Sequence, residues 1–430
     1  MTEKLLQFIW KHRHFNQQGL TLSSGESLSI GYPGDENHNQ GPDFIHARIR
    51  INDTYWAGSI ELHLLSSGWD KHGHDQDENY RNVILHVVWK HDQTDMARNI
   101  PQLELCQRVS GIMLDTYSGW MHQYTFVPCE KSLQKPAPDV WKSWQAVLLT
   151  KRLDRKMVPI AQSLQRNHYH WEVQLWWMIA GNFGLKVNAP AFETIARSIP
   201  FTLLAKHRAQ PIQLEALLFG QANLLERNFS EAYPLTLKKE FHFLKTKYGL
   251  RKVFDQVHFL RMRPDNFPTI RLSQLASLYT ESTNLFAWIL QCDSLSELRK
   301  KFALSTSDYW FNHYVFDKES PHRVKVMGRG TAETIIVNGV IPLLYSYGKT
   351  HPDKSITQKA IYWMQEMPAE QNRIIYQWKG LGIEVKSAAG SQALLELKTE
   401  FCQQKKCLEC DIGKHLLKSS GKNIPAAENH

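Results

Sequence analysis

The first 110 residues alternate apolar and polar positions in short runs, which is the pattern of β-strands. In the clearest run, 44–51, every second residue is apolar. The run VILHVVW at 83–89 is apolar at nearly every position, which is typical of a central strand buried on both faces. A short amphipathic helix is predicted before them at 3–15, and strands are predicted at 26–32, 44–51, 55–65, 83–89 and 100–107, with a hairpin turn at Asn52-Asp53.

From about residue 137 the apolar positions recur with the period of α-helices. Helices are predicted at 140–167, 170–183, 189–199, 212–225, 234–248, 272–290, 295–302, 332–347, 355–367, 370–380 and 392–402. The segment 66–82 is predicted as a loop with one or two helical turns, because Gly68 and Gly73 each disfavour a helix by about 1 kcal/mol relative to Ala.

These patterns divide the chain, which at 430 residues is too long for one hydrophobic core. An N-terminal α/β domain with a mixed sheet is predicted at 1–130. A larger, mostly α-helical domain is predicted at 137–390, after the junction KPAPD. A Cys-containing segment at 391–418 and a frayed tail at 419–430 complete the predicted organisation.

Composition indicates a globular protein, with 42% hydrophobic and 22% charged residues. No apolar run approaches the ~18–20 residues of a membrane span, and the N-terminus lacks the features of a signal peptide. Six cysteines in 430 residues do not form a disulfide framework. We therefore expect a cytoplasmic protein without a membrane partner.

The net charge of +9 is distributed unevenly. Residues 1–128 hold 10 Lys and Arg against 15 Asp and Glu, and also half of the 20 His, so the positive balance lies in the rest of the chain. A basic body favours polyanions such as nucleic acid. A solvated basic surface is the alternative, which charge alone leaves open.

Asp43 and the triplet Glu61-Leu62-His63 stand on neighbouring predicted strands. Residues two apart in a strand share a face, so Glu61 and His63 project together. Carboxylates bind Mg²⁺ or Mn²⁺, such an ion polarises a phosphate oxygen, and a neighbouring group can orient the attacking water. The alternative is structural: Asp43 ends a turn after Pro42, and the other two lie on a solvated sheet face.

Three further residues are secondary candidates near this pair. His72 and His74 lie in the polar segment just after the triplet, so they could return to the same cleft and bind a transition metal or a phosphate. The alternative is a polar loop fixed by Trp69 and Tyr80. Glu26 opens a strand that could neighbour the site.

The segment RMRPDNFPTIR places Arg261, Arg263 and Arg271 around two prolines, which stiffen the loop. Three guanidinium groups on a rigid loop could bind nucleic-acid phosphates. Salt bridges between domains and capping of carbonyl groups are the alternative.

Cys402, Cys407 and Cys410 have C-x4-C-x2-C spacing. Such thiols bind Zn²⁺ or an iron–sulfur cluster, usually with four ligands. The fourth ligand could be His415, five residues after Cys410, or one of the three scattered cysteines. Incidental reduced cysteines remain the alternative.

Two resemblances bear on these residues. GPDF followed by SIELH resembles the PD-(D/E)XK nuclease superfamily, as does the order helix, strand, strand with an acid, strand with a triplet, connection and central strand. This implies a restriction-endonuclease-like domain over roughly residues 1–110, in which Asp43 and Glu61 bind metal. His63 stands where that superfamily usually has Lys. Some nucleases with this core carry Cys-bound iron–sulfur clusters.

The second resemblance is to an uncharacterised bacterial family known only as a domain of unknown function. NQGPDF, IELH, SSGWDKHGHD, NVILHVVW, RMRPDNFPTIRLSQLA and the terminal cysteine motif look like it, over nearly the whole chain. It implies no established activity.

The leading hypothesis is a metal-dependent nuclease that hydrolyses phosphodiester bonds of DNA or RNA, with Asp43, Glu61 and His63 as its site. The basic helical body would hold the nucleic acid. The rival hypotheses are a non-catalytic nucleic-acid-binding protein that retains the fold, and a protein-interaction scaffold.

Overall fold

The N-terminal sheet is mixed, and its strands follow one path in the order β1-β3-β4-β5-β6, with β2 paired to the start of β3. The computed structural model describes residues 1–93, 100–133, 136–282 and 284–421. Within them the sheet comprises β1 Leu28–Tyr32, β2 Asp35–Glu36, β3 Phe44–Ile51, β4 Thr54–Leu65, β5 Val83–Lys90 and β6 Gln102–Glu104. β3 is antiparallel to β1 and β4, whereas β5 is parallel to β4 and β6.

Burial follows the predicted pattern in the central strands. The first six residues of β5 are all buried, because this strand is covered on both faces. In β3 the alternation holds only from Ala47 to Ile51. A bulge shifts the register with β4 between Phe44 and Ala47, and His46 adopts a positive φ of 60°. The bulge places Phe44 on the buried face and lies directly beside Asp43.

Helix α1, Glu3–Lys11, precedes the sheet and packs against β4. Its N-cap is Thr2, whose hydroxyl accepts a hydrogen bond from the backbone N–H of Leu5. Between β4 and β5 lie one turn of helix, α2 Gly68–Lys71, and two 3₁₀ turns at His74–Gln76 and Glu78–Tyr80. The prediction of a loop with one or two helical turns agrees with this connection.

Helices dominate the rest of the described chain. They are α3 Gly111–His122, α4 Pro138–Arg166, α5 Trp171–Phe183, α6 Leu185–Ser198, α7 Phe201–His207, α8 Pro211–Gln221, α9 Ala232–Tyr248, α10 Pro268–Thr280, α11 Leu285–Gln291, α12 Leu295–Lys301, α13 Arg329–Ile335, α14 Ile341–Thr350, α15 Ser355–Glu366, α16 Arg373–Gly380, α17 Ala388–Glu396 and α18 Asp411–Gly421. π-helical turns follow α13 at Ile336–Val340 and α17 at Leu397–Cys402.

Some elements differ from the predictions. The single helix predicted at 272–290 is two helices, α10 and α11, because the turn-forming residues Ser282 and Asn284 interrupt it. A small hairpin, β7 His313–Val315 with β8 Lys318–Glu319, was not predicted. Helix α18 occupies the first three positions of the predicted frayed tail, and 422–430 lie outside the described residues.

The described chain forms two compact units. The first contains the sheet, residues 1–146, together with 377–383 and the described residues from Leu395 onward. The second contains 147–376 and 384–394. The C-terminal cysteine segment therefore belongs to the same unit as the sheet. None of the helices in the described ranges has the length and hydropathy needed to cross a bilayer.

Candidate metal site

Asp43 and Glu61 lie side by side where β3 begins and β4 passes it. The backbone N–H of Asp43 donates to Glu61 Oε2 at 3.0 Å, and the backbone N–H of Leu62 donates to Asp43 Oδ2 at 3.1 Å. Gln7 of α1 donates to Asp43 Oδ1 at 2.8 Å. These bonds fix both side chains without neutralising either carboxyl group.

Three imidazoles form a cluster on the other side of Glu61, and two of them lie next to its carboxylate. His63 Nε2 and His74 Nε2 lie 3.7 and 3.5 Å from Glu61 Oε1. His63 Nε2 is also 3.1 Å from His72 Nδ1. One ligand atom from each of these three His lies within 4.8 Å of the other two. Glu61 and His63 share one face of β4, as the strand period predicts.

A fourth imidazole supports His63 from behind. His63 Nδ1 is 2.9 Å from Nε2 of His86, which is fully buried in β5. If His63 Nδ1 carries the proton and donates to His86, then His63 Nε2 presents its lone pair to Glu61 and the other two imidazoles. This is the arrangement in which a second residue fixes the tautomer of a metal-binding His.

The segment after β4 returns to the site because its aromatic residues are anchored. Trp69 is fully buried with Val83 and Ile100, and its indole N–H donates to Asp75 Oδ1 at 2.9 Å. Tyr80 stacks on the His74 ring with a centroid distance of 3.8 Å. Aromatic anchors therefore fix the loop, and the fixed loop brings His74 next to Glu61 and His72 next to His63.

Burial shifts the pKa of five groups at the site against their charged forms: Asp43, Glu61, His63, His74 and His86. Burial raises the pKa of Glu61, and the Asp43 carboxylate beside it raises it further. Burial also raises the pKa of Asp43. Burial lowers the pKa of His63 to about 3 and that of His86 to about 4, with neighbouring imidazoles adding to the effect.

These side chains fit a divalent cation. Neutral imidazoles have free lone pairs. Within the described chain neither the buried Glu61 nor the half-buried Asp43 has a Lys or Arg partner, so both carboxyl groups gain from a bound cation. His74 Nε2 is also buried without a hydrogen-bond partner. One carboxylate oxygen with three imidazole nitrogens suits a transition metal, whereas Mg²⁺ prefers oxygen ligands.

A cleft of about 580 Å³ adjoins the carboxylate side of the site. Asp43 and Glu61 do not line it, but two of its lining residues bond to Asp43 or its neighbour: Gln7 donates to Asp43, and Asn37 donates to the carbonyl of Pro42 at 2.9 Å. Its cationic side chains are Lys4, Lys11 and Lys414. His72 is exposed and Asp43 half-buried, so the site is open to solvent at both residues.

Glu26 is a correction to the sequence prediction. It lies in the turn before β1, where its carboxylate accepts a hydrogen bond from Ser24. β1 starts opposite Ile51, at the end of β3 remote from Asp43. Glu26 therefore does not neighbour the site.

The three arginines differ in their exposure to solvent. Arg261 and Arg263 are exposed, as a phosphate contact requires. Arg271 is only 3% exposed, and its guanidinium donates to Gln274 and Asn266 at 2.7 and 2.5 Å. Arg271 is a structural group in this conformation and does not offer the predicted phosphate contact.

The structure adds residues that the sequence did not single out. Gln7 and Glu3 are one helical turn apart on α1, and both act on the carboxylates: Gln7 by its hydrogen bond, Glu3 by its negative charge, which raises the pKa of Asp43 and Glu61. Their spacing is ordinary for a helix, so only knowledge of the α1 packing identifies them. Cys129 lies close to the C-terminal cysteines. Burial raises the pKa of Cys402, and the charges of Cys410, Cys129 and Cys407 raise it further.

The chain belongs to the family described as "Protein of unknown function (DUF2851)", which matches residues 3–373. The sheet, the candidate metal site and the RMRPDNFPTIR segment lie inside the match, and the C-terminal cysteine motif lies beyond it. No curated protein and no solved structure matched the chain.

Proposed function

We propose that the N-terminal sheet carries a metal-dependent nuclease site that hydrolyses phosphodiester bonds of DNA or RNA. The observation that supports this most is the cluster of His63, His72 and His74, with His63 and His74 at 3.7 and 3.5 Å from Glu61, which adjoins Asp43. The order of elements also supports it. α1, antiparallel β1, β3 and β4, a short helical connection and parallel β5 follow the order of the PD-(D/E)XK core.

Glu61, His63, His72 and His74 would hold the ion, which we propose to be Mn²⁺ or Zn²⁺ because three of the four donors are imidazole nitrogens. When bound, such an ion polarises a phosphate oxygen and lowers the pKa of a coordinated water. This differs from the sequence expectation of Mg²⁺ or Mn²⁺ held by Asp43 and Glu61.

The other residues position the reactants. The Asp43 carboxylate is held by Leu62 and Gln7, so a half-buried, oriented acceptor stands beside Glu61 for a proton of the attacking water. The lysines of the cleft would bind the phosphates of the strand as point charges. Such binding weakens steeply with salt.

A cleavage assay tests the proposal. End-labelled single- and double-stranded DNA and RNA are incubated with the full chain and Mn²⁺, Zn²⁺ or Mg²⁺. We expect cleavage with Mn²⁺ or Zn²⁺ and a loss of about 100-fold or more in Asp43→Asn and Glu61→Gln, because each loses a charge needed at the reacting centre.

The matched control is Asp53→Asn, a carboxylate of the same sheet whose side chain is 98% exposed in the β3–β4 turn. It should cleave like the wild type. Folded wild type that yields no metal-dependent product contradicts the proposal. Salt-sensitive binding without turnover would then identify the non-catalytic rival.

A further inference from the structure

The C-terminal cysteine segment packs against residues 121–126. Lys398 donates to the carbonyl of Phe126 at 2.5 Å and lies 4.6 Å from the centre of its ring. Lys405 donates to the carbonyl of Met121 and lies 5.5 Å from the centre of the Tyr124 ring. Two lysines that flank Cys402 thus bind the segment that leads to Cys129.

This docking brings Cys129 close to Cys402, Cys407 and Cys410, which follow it by more than 270 residues in sequence. Burial raises the pKa of Cys129, Cys402 and Cys407, and neighbouring thiolates raise it further, so that every pair among Cys129, Cys402, Cys407 and Cys410 is close enough to interact. Cys129, Cys407 and Cys410 are buried, Cys402 is half-buried, and none of the four forms a disulfide. His415, the other candidate for a fourth ligand, lies half-buried on α18.

The local backbone is shaped for thiolates. Cys410 directly precedes α18, and the backbone N–H groups of Ile412 and Gly413 lie beside its sulfur. Trp144 lies near this sulfur, and its indole nitrogen is buried without a hydrogen-bond partner among the described residues. A Cβ on Gly413 would lie 2.2 Å from the carbonyl oxygen of Cys407, so only glycine permits this turn.

We propose that Cys129, Cys402, Cys407 and Cys410 bind an iron–sulfur cluster. Four thiolates are the usual ligand set of such clusters and of structural zinc. The separation of the sulfurs distinguishes them. Ligands of one zinc at about 2.3 Å would stand roughly 3.8 Å apart. In the described chain no three of these sulfurs all lie within 4.8 Å of one another. Thiolates that bind different irons stand farther apart.

The cluster would fix one wall of the lysine-lined cleft. Leu408 and Glu409, between Cys407 and Cys410, line that cleft together with Lys414 of α18. A cluster held by Cys407 and Cys410 therefore sets the position of this wall relative to α1. Only this consequence rests on the proposed nuclease function.

Metal analysis of anaerobically purified full-length protein tests the cluster. We expect roughly two or four irons with matching acid-labile sulfide per chain, and broad visible absorption. Stoichiometric zinc without iron would overturn the assignment to an iron–sulfur cluster. Absence of both metals, also after anaerobic reconstitution with ferrous iron and sulfide, would remove the metal centre altogether.

Single substitutions test the ligand set. Cys129→Ser should lose most of the iron, whereas His415→Ala should keep it. Cys292→Ser, which alters a buried cysteine of the other unit, is the matched control and should also keep it. Full iron in folded Cys129→Ser would contradict the proposal. The measurement is the iron content of protein to which no nucleic acid is added. Its result is therefore independent of whether the protein cleaves nucleic acid.

Discussion

His63 determines what kind of chemistry the site can perform. A lysine at this position would add a positive charge, whereas a neutral imidazole adds a lone pair. Burial and three neighbouring imidazoles lower the pKa of His63 to about 3, so it stays neutral near pH 7. A histidine at this position therefore favours a nitrogen-rich transition-metal site over a carboxylate site with an ammonium group beside it.

His86 provides a test at the residue scale. His86→Leu keeps an apolar group of similar size in β5 but removes the acceptor for His63 Nδ1. We expect Mn²⁺ or Zn²⁺ affinity, measured by calorimetric titration, to fall about 10–100-fold, because a supporting residue orients the ligand. His122→Ala is the control, since His122 is exposed on α3 and bonds to the carbonyl of Ser118. Unchanged affinity in folded His86→Leu would show that His63 needs no such support.

At this scale, strand periodicity was enough to place Glu61 and His63 on one face. The sequence could not show that Arg271 is buried, because the groups that cover it come from other parts of the chain, among them Thr331. Tertiary packing decides whether a charged residue is exposed.

At the scale of elements, the packing of α2 on β4 sets the position of His63. Gly68 starts α2, and a Cβ there would lie 2.9 Å from ring atoms of His63. The sequence indicated Gly68 only as a residue that disfavours a helix. In the structure its missing side chain makes room for the imidazole.

Gly68→Ala should therefore displace His63 or α2. We expect a loss of about 1–3 kcal/mol in the free energy of unfolding from overpacking, with weaker Mn²⁺ binding, measured by urea denaturation and by titration. Gly111→Ala is a matched control, because Gly111 also starts a helix and a Cβ there would meet nothing within 4 Å. Equal stability and equal metal affinity of the two variants would refute this packing argument.

Most of the elements could be predicted because each buries one face in a regular period. β3 was predicted at its observed bounds, and β4 and β5 within one residue. The bulge at His46 could not be predicted, since it depends on pairing with β4. The division between α10 and α11 was missed for a related reason: the apolar period continues through residues that form a turn.

At the scale of the whole molecule, the C-terminal segment belongs to the unit that carries the candidate metal site. That unit holds 20 Lys and Arg against 22 Asp and Glu, and the other unit holds 31 against 20. The sequence placed the positive balance behind residue 128 but could not show that Lys414 lines the cleft beside α1. Contacts over such a separation leave no periodic signal in the sequence.

The proposed nuclease site requires one ion at one position. Crystals of the full chain grown or soaked with Mn²⁺ would locate it by anomalous scattering. We expect a peak bound by Glu61 Oε1, His63 Nε2, His72 and His74, at about 2.0–2.2 Å from each, as is usual for such donors. No peak at these residues under saturating Mn²⁺ or Zn²⁺, or an ion bound without the imidazoles, would contradict it.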